Sequence, residues 1–124
     1  MKKKILKIMG DYSSTGLWDG KYGSMVDLDE LNIPLSLKNR ILKWSKNWDK
    51  MFFNIDVNEN ETFDNFRNEK YKFFHSKKFR DNYFEQKIIS KLLKKYLSDK
   101  YDIYFFDEYK LFIGNGKIKY LYKI

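Results

Sequence analysis

The alternation of apolar and polar positions divides the chain into blocks of different period. Ile5-Leu6-Lys7-Ile8-Met9 is short, apolar and closed by Gly10, which predicts a buried strand. Gly10 to Gly23 follows, rich in Gly and hydroxyl residues, and reads as a loop. Leu17-Trp18 is its one sizeable apolar pair, a short strand or a plug at the edge of the core. Asp27 to Pro34 reads as a turn leading into a helix with Ser36 as its N-cap. Leu37, Ile41, Trp44, Trp48 and Phe52 then recur at helical spacing and define one apolar face. Asn54 to Glu61 is polar and loop-like, and Phe63, Phe66 and Phe73 would suit a short helix. Ser76 is placed to cap a longer helix ending near Leu97 or Ser98, whose apolar face takes in Phe79, Tyr83, Ile89, Leu93 and Tyr96, with Ile88 and Leu92 beside them.

After that helix the period changes. Tyr101 to Phe106 is β-branched and aromatic and predicts a strand. Asp107-Glu108 reads as a tight turn, Tyr109 to Ile113 as a further strand and Gly114-Asn115-Gly116 as a hairpin turn. Lys117 to Lys123 alternates, with Ile118, Tyr120 and Tyr122 on one face and Lys119, Leu121 and Lys123 on the other. The expected architecture is therefore α+β. An antiparallel sheet is built from the N-terminal strand and a C-terminal meander, with two or three helices packed on one face. The first strand is expected beside the strand at 101–106. No repeat or linker divides residues 1–124, so one domain is expected.

Aromatic residues make up 19% of the chain, which excludes a disordered chain as the default. There is no Cys, hence no disulfide, no thiolate metal site and no Cys nucleophile. The apolar run at 5–9 is broken by Lys7 and is too short for a secretory signal, and no window is long enough to span a bilayer. A cytoplasmic protein is expected. The net charge is +8, but Lys, Asn, Ile, Tyr and Phe abound while Ala is absent, the bias that AT-rich codons give. The distribution of charge says more than its total: residues 10–35 sum to −4, whereas 36–51 and 69–98 sum to +4 and +6.

Candidate chemistry is sparse. The loop Gly10 to Gly16 has the hydroxyls of a phosphate cradle, but Leu17-Trp18-Asp19-Gly20 opens no helix behind it. His75 is the only histidine, and nothing in the pattern places a Ser and a carboxylate beside it. Asp19, Asp27, Asp29 and Glu30 do not have the spacing of a calcium loop. No catalytic set, metal or cofactor is therefore expected, and the chain reads as something other than an enzyme. Trp44 and Trp48 form a core stripe rather than a stacking platform. Tyr104, Phe106, Tyr120 and Tyr122 raise the question of an aromatic sheet surface that could stack single-stranded nucleic acid.

One resemblance bears on function. The opening strand, then Asp11-Tyr12-Ser13-Ser14-Thr15-Gly16-Leu17-Trp18, then Gly23-Ser24-Met25-Val26, resembles the opening of a group of small bacterial proteins. The likeness continues through Leu31-Asn32-Ile33-Pro34 into the helix carrying Arg40 and Trp44, and returns at Tyr101 to Glu108. Asn58 to His75 departs from the pattern. The resemblance implies an immunity protein of a bacterial toxin system, a protein-binding module that blocks its partner sterically. Tyr12 and Trp18 are the aromatic anchors expected at such a contact, with Asp11, Asp19, Asp27 and Asp29 as its acidic complement. The alternative is a small basic nucleic-acid-binding protein using Lys38, Arg40, Lys43, Lys46, Lys87, Lys91, Lys94 and Lys95 against phosphates.

Overall fold

The computed structural model describes residues 3–11, 14–21, 23–53, 76–114 and 119–124. The predicted stretch between Asn54 and His75 lies outside them, as do Tyr12, Asn115 and Gly116. The elements run β1 (Lys4–Ile8), β2 (Leu17–Asp19), a 3₁₀ turn (Leu28–Glu30), α1 (Leu35–Phe53), α2 (Lys77–Leu97), β3 (Tyr101–Phe106), α3 (Glu108–Gly114) and β4 (Leu121–Lys123). The strands form one sheet in the order β2-β1-β3-β4.

The α+β class is as expected, and β1 does lie beside β3. Their pairing is parallel, however, with Lys4 opposite Tyr101 and Ile8 opposite Phe105, and only β1–β2 and β3–β4 are antiparallel. The sheet is thus mixed and not antiparallel. A tight turn enforces antiparallel pairing, whereas the chain between β1 and β3 includes, among the described residues, β2, α1 and α2, the kind of crossover that serves a parallel pair. The strand expected at Tyr109 to Ile113 is the helix α3. Asp107 is its cap: the Asp107 carboxylate accepts from the Lys110 amide at 2.9 Å, and the Asp107 carbonyl accepts from Leu111. A five-residue apolar run does not distinguish strand from helix by period alone.

Helix α1 begins at Leu35, so Ser36 lies inside it. The Pro34 carbonyl takes the amides of Leu37 and Lys38, and no side-chain cap is involved. Ser76 does cap α2, accepting from the Phe79 amide at 3.2 Å. From α1 the predicted stripe Leu37, Ile41, Trp44 and Trp48 is buried; the first three join Leu6, Ile8, Leu17, Ile89, Leu93 and Ile103 in the main core. Trp48, Met51 and Phe79 form a second cluster, with Tyr83 and Tyr109 packed against it. The expected α2 face is only partly right. Ile88 and Tyr96 are exposed, and the polar Asn82, Gln86 and Ser90 are buried in the helix's inner arc.

Two buried polar centres, Gln86 and Asp107, tie α2 to the sheet. The Gln86 amide donates to the carbonyls of Ile8 and Phe106 at 3.0 and 2.9 Å, which closes the ends of the adjacent parallel strands. Asp107, completely buried, accepts from the hydroxyls of Tyr83 and Tyr122 at 2.5 and 3.1 Å. Burial and the neighbouring Asp107 charge hold the Tyr83 phenol well above its ordinary value and push Tyr122 up to about 12. A phenol whose folded value is raised adds stability below the ordinary value near 10 and loses it as pH climbs toward the folded value. Thermal melts from pH 9 to 12 should therefore show a steeper fall for the wild type than for Tyr122→Phe, which has no phenol to ionise.

The loop before β2 is held from below. Gly16 has φ +81°, and a Cβ there would lie 2.1 Å from Cζ3 of Trp44, itself 1% exposed. Gly16→Ala combines left-handed strain with overpacking, and should cost about 2 kcal/mol in a denaturant titration. Leu17 is the plug at this edge: it is fully buried, whereas Trp18 points to the opposite face of the sheet.

Candidate partner-binding surface

Alternation sorts the strand residues into two faces. Leu6, Ile8, Leu17, Ile103 and Phe105 turn into the core. The opposite face carries Ile5, Lys7, Trp18, Asp102, Tyr104, Phe106, Leu121 and Lys123. The register sets Trp18, Lys7, Tyr104 and Lys123 in one row across all four strands, and Met25 bridges to Trp18 beyond the sheet's edge. A sheet face turned to solvent ordinarily reads polar. Here Met25, Ile5 and Leu121 are 52%, 40% and 37% exposed, and Trp18, Tyr104 and Phe106 are half-buried beside them. Contiguous apolar surface of this kind marks interaction sites.

The polar groups on this face are few and ordered. The Trp18 indole donates to the Met9 carbonyl at 2.9 Å, which fixes the ring across the ends of β1 and β2. Phe106 meets Tyr120 edge-on at 5.4 Å. Lys123 pairs with Asp102 at 3.2 Å. Among the described residues no carboxylate pairs with Lys7, which stands between Trp18 and Tyr104.

A second concavity, a groove of about 650 Å³, lies between α1 and α2 and is lined by Arg40, Lys43, Trp44, Lys78, Asn82 and Glu85 among others. It carries both signs of charge. Arg40 forms a forked pair with Glu85, its Nη2 donating to Oε2 at 3.1 Å, and that bond raises the guanidinium further above its ordinary value. Among the described residues no group of three or more His, Asp or Glu side chains is placed to hold a metal ion, and no helix is long and apolar enough to cross a membrane.

A family model described as Serratia CdiI immunity protein-like matches residues 4–108. The chain belongs to this family. The matched span runs from the first residue of β1 to the first of α3 and includes Lys7, Trp18, Met25 and Tyr104, while β4 lies beyond it. Comparison with curated proteins and with solved structures gave no match.

Membership in an immunity protein-like family directs attention to surfaces rather than catalytic groups, and several of the residues singled out from sequence lie in and beside β2, where residues 24–26 pack back on Leu17, Trp18 and Asp19. Trp18 is on the open sheet face. The Asp19 carboxylate accepts from the Lys21 amide at 2.8 Å, in the turn after β2. Asp27 caps the 3₁₀ turn by accepting from Asp29, and Asp29, highly exposed, pairs with Lys38 at 3.6 Å. Asp11 is exposed, with its carbonyl accepting from Ser14. Tyr12 lies outside the described residues.

The alternative basic set is divided between α1 and α2. Lys38 and Arg40 are in ion pairs. Lys87 sits 4.6 Å over the Tyr83 ring and Lys95 5.6 Å over Tyr96, while Lys43 borders the groove. Lys46, Lys91 and Lys94 are exposed. The aromatic sheet quartet divides: Tyr122 turns inward to Asp107, whereas Tyr104 and Phe106 remain on the open face. Sequence reasoning missed Ile5, Lys7, Met25 and Leu121. The signal for Lys7 and Ile5 was present in the two-residue period of β1, in which Leu6 and Ile8 share the other side.

Proposed function

We propose that this chain neutralises a bacterial toxin by binding it and blocking it sterically, without catalysis of its own. The family match over residues 4–108 carries the reading. Support comes from an exposed aromatic and apolar sheet face and from the acidic segment 10–35 at its β2 border. Blockade requires only a preformed surface with anchors and complementary charge. Trp18 is the proposed anchor, joined by Tyr12, and Asp11, Asp19, Asp27 and Asp29 are the proposed acidic contacts. The cytoplasm of the protected cell is the proposed place of action.

Co-expression tests the reading. A toxin found in a neighbouring reading frame should arrest growth alone and be tolerated when this chain is made beside it, and the two should co-purify. Growth arrest undiminished by the chain, with no complex recovered, removes the proposal. Binding of oligonucleotides that falls steeply between two salt concentrations, with no toxin bound, would instead favour the basic helix faces.

A further inference from the structure

We infer that the toxin seats on the open face of the sheet and places a carboxylate on Lys7, between Trp18 and Tyr104. This rests on the neutralising role proposed above and names its contact surface. Three observations carry it. The face breaks the rule that solvent-facing strand positions are polar: Trp18 and Tyr104 flank Lys7 in its row, Met25 bridges to Trp18 at the edge, and Ile5 and Leu121 stand in the neighbouring rows. Rigid aromatic anchors flanked by smaller apolar groups are what the centre of a protein interface contains.

Charge then selects the partner's chemistry. Asp102 and Lys123 satisfy each other at the β4 side, so the charge left for a partner in the middle of the row is that of Lys7. It is half-buried, and β1 is an interior strand whose backbone pairs on both sides. An apolar partner patch laid over Trp18 and Tyr104 would bury the Lys7 ammonium without a counter-ion, which is costly. A partner bearing Asp or Glu at that point satisfies it, and the bond formed is a desolvated, charge-assisted one. The acidic loops beyond β2 then form the rim and meet basic groups of the same partner.

The outer side of α2 is the competing surface, since Phe84 and Ile88 are 52% and 42% exposed there with Lys91 beside them. It presents one helical ridge, in which Phe84, Ile88 and Tyr96 alternate with Lys87, Lys91 and Lys95, and no row of rings across paired strands.

Biolayer interferometry with the purified toxin used in the co-expression test distinguishes the two. Lys7→Glu should weaken binding by about 100-fold or more. Lys7→Met, which keeps the stem, should weaken it about 10-fold and flatten the salt dependence. Met25→Glu, at the most exposed apolar position of the face and outside the named strands, should cost about 10-fold or more and guards against a misfolded Lys7 variant. Phe84→Glu and Lys91→Glu should change affinity less than about 3-fold. Wild-type affinity in Lys7→Glu and Met25→Glu overturns the inference and leaves the neutralising role standing, as does a large loss confined to the α2 variants. A wild-type chain that does not bind the toxin overturns both.

Discussion

Asp107→Ala should lower the melting temperature by roughly 15 °C, the largest single-site loss expected outside the apolar core. The carboxylate is fully buried at the junction of β3 and α3. It is held by two phenol hydroxyls, from α2 and β4, and by the Lys110 amide in the first turn of α3. The Lys110 ammonium lies 4.8 Å over the Tyr122 ring. Removing the carboxylate strands two part-buried phenols and uncaps the helix at once. Deleting one member of a buried charged network typically costs about 3–5 kcal/mol. Asp107→Asn keeps an oxygen for the Lys110 amide and should lose about half as much. Thermal unfolding by circular dichroism measures both. A wild-type melt for Asp107→Ala would show that the four elements are not joined through this residue.

Gln86→Leu should cost about 3 kcal/mol, although leucine fills nearly the same volume and is the more apolar residue. Hydrophobicity predicts the opposite sign, so the experiment separates the two effects. The glutamine is 4% exposed, and its amide nitrogen serves the carbonyls of Ile8 and Phe106 together. Leucine would leave both without that donor, at about 1–3 kcal/mol for each buried group left unsatisfied. Urea titration at constant m-value is the measurement, and a Gln86→Leu variant as stable as the wild type would assign the two carbonyls another donor. Gln86→Glu provides a second reading: its ionised carboxylate has no hydrogen to offer and faces two carbonyl oxygens, so it should be worse than leucine at pH 8.

How much of this was legible beforehand varies by element, and the reasons are local. The α1 stripe was read correctly because four large apolar residues repeat at 3.6-residue spacing over a long helix, which only one conformation can bury. Ser76 was read correctly because a cap acts through neighbours three residues away. β3 was legible from six consecutive residues dominated by aromatic and β-branched side chains. α3 was misread because its apolar run is short and its start depends on Asp107, whose acid could equally belong to a turn.

The surface residues follow the same division. Trp18 was singled out because a large indole in a Gly-rich loop is conspicuous. Lys7 was not, because a lysine in an apolar strand reads as an interruption until the strand's neighbours are known. Its position between Trp18 and Tyr104 joins residues far apart in the chain, and only the β2-β1-β3 order brings them together.

Local pattern and composition place the long helices, the buried stripe of α1, the mixed α and β content and the lack of thiol chemistry. These depend on periodicity and composition, which are properties of a few neighbouring residues. Tertiary structure alone decided that β1 and β3 run parallel, that Gln86 and Asp107 are inside, and that Ile5, Lys7, Trp18 and Tyr104 share an outer face. Each of those depends on pairing or packing across long stretches of chain, and a one-residue slip of a strand would have turned its outer-face side chains to the other side.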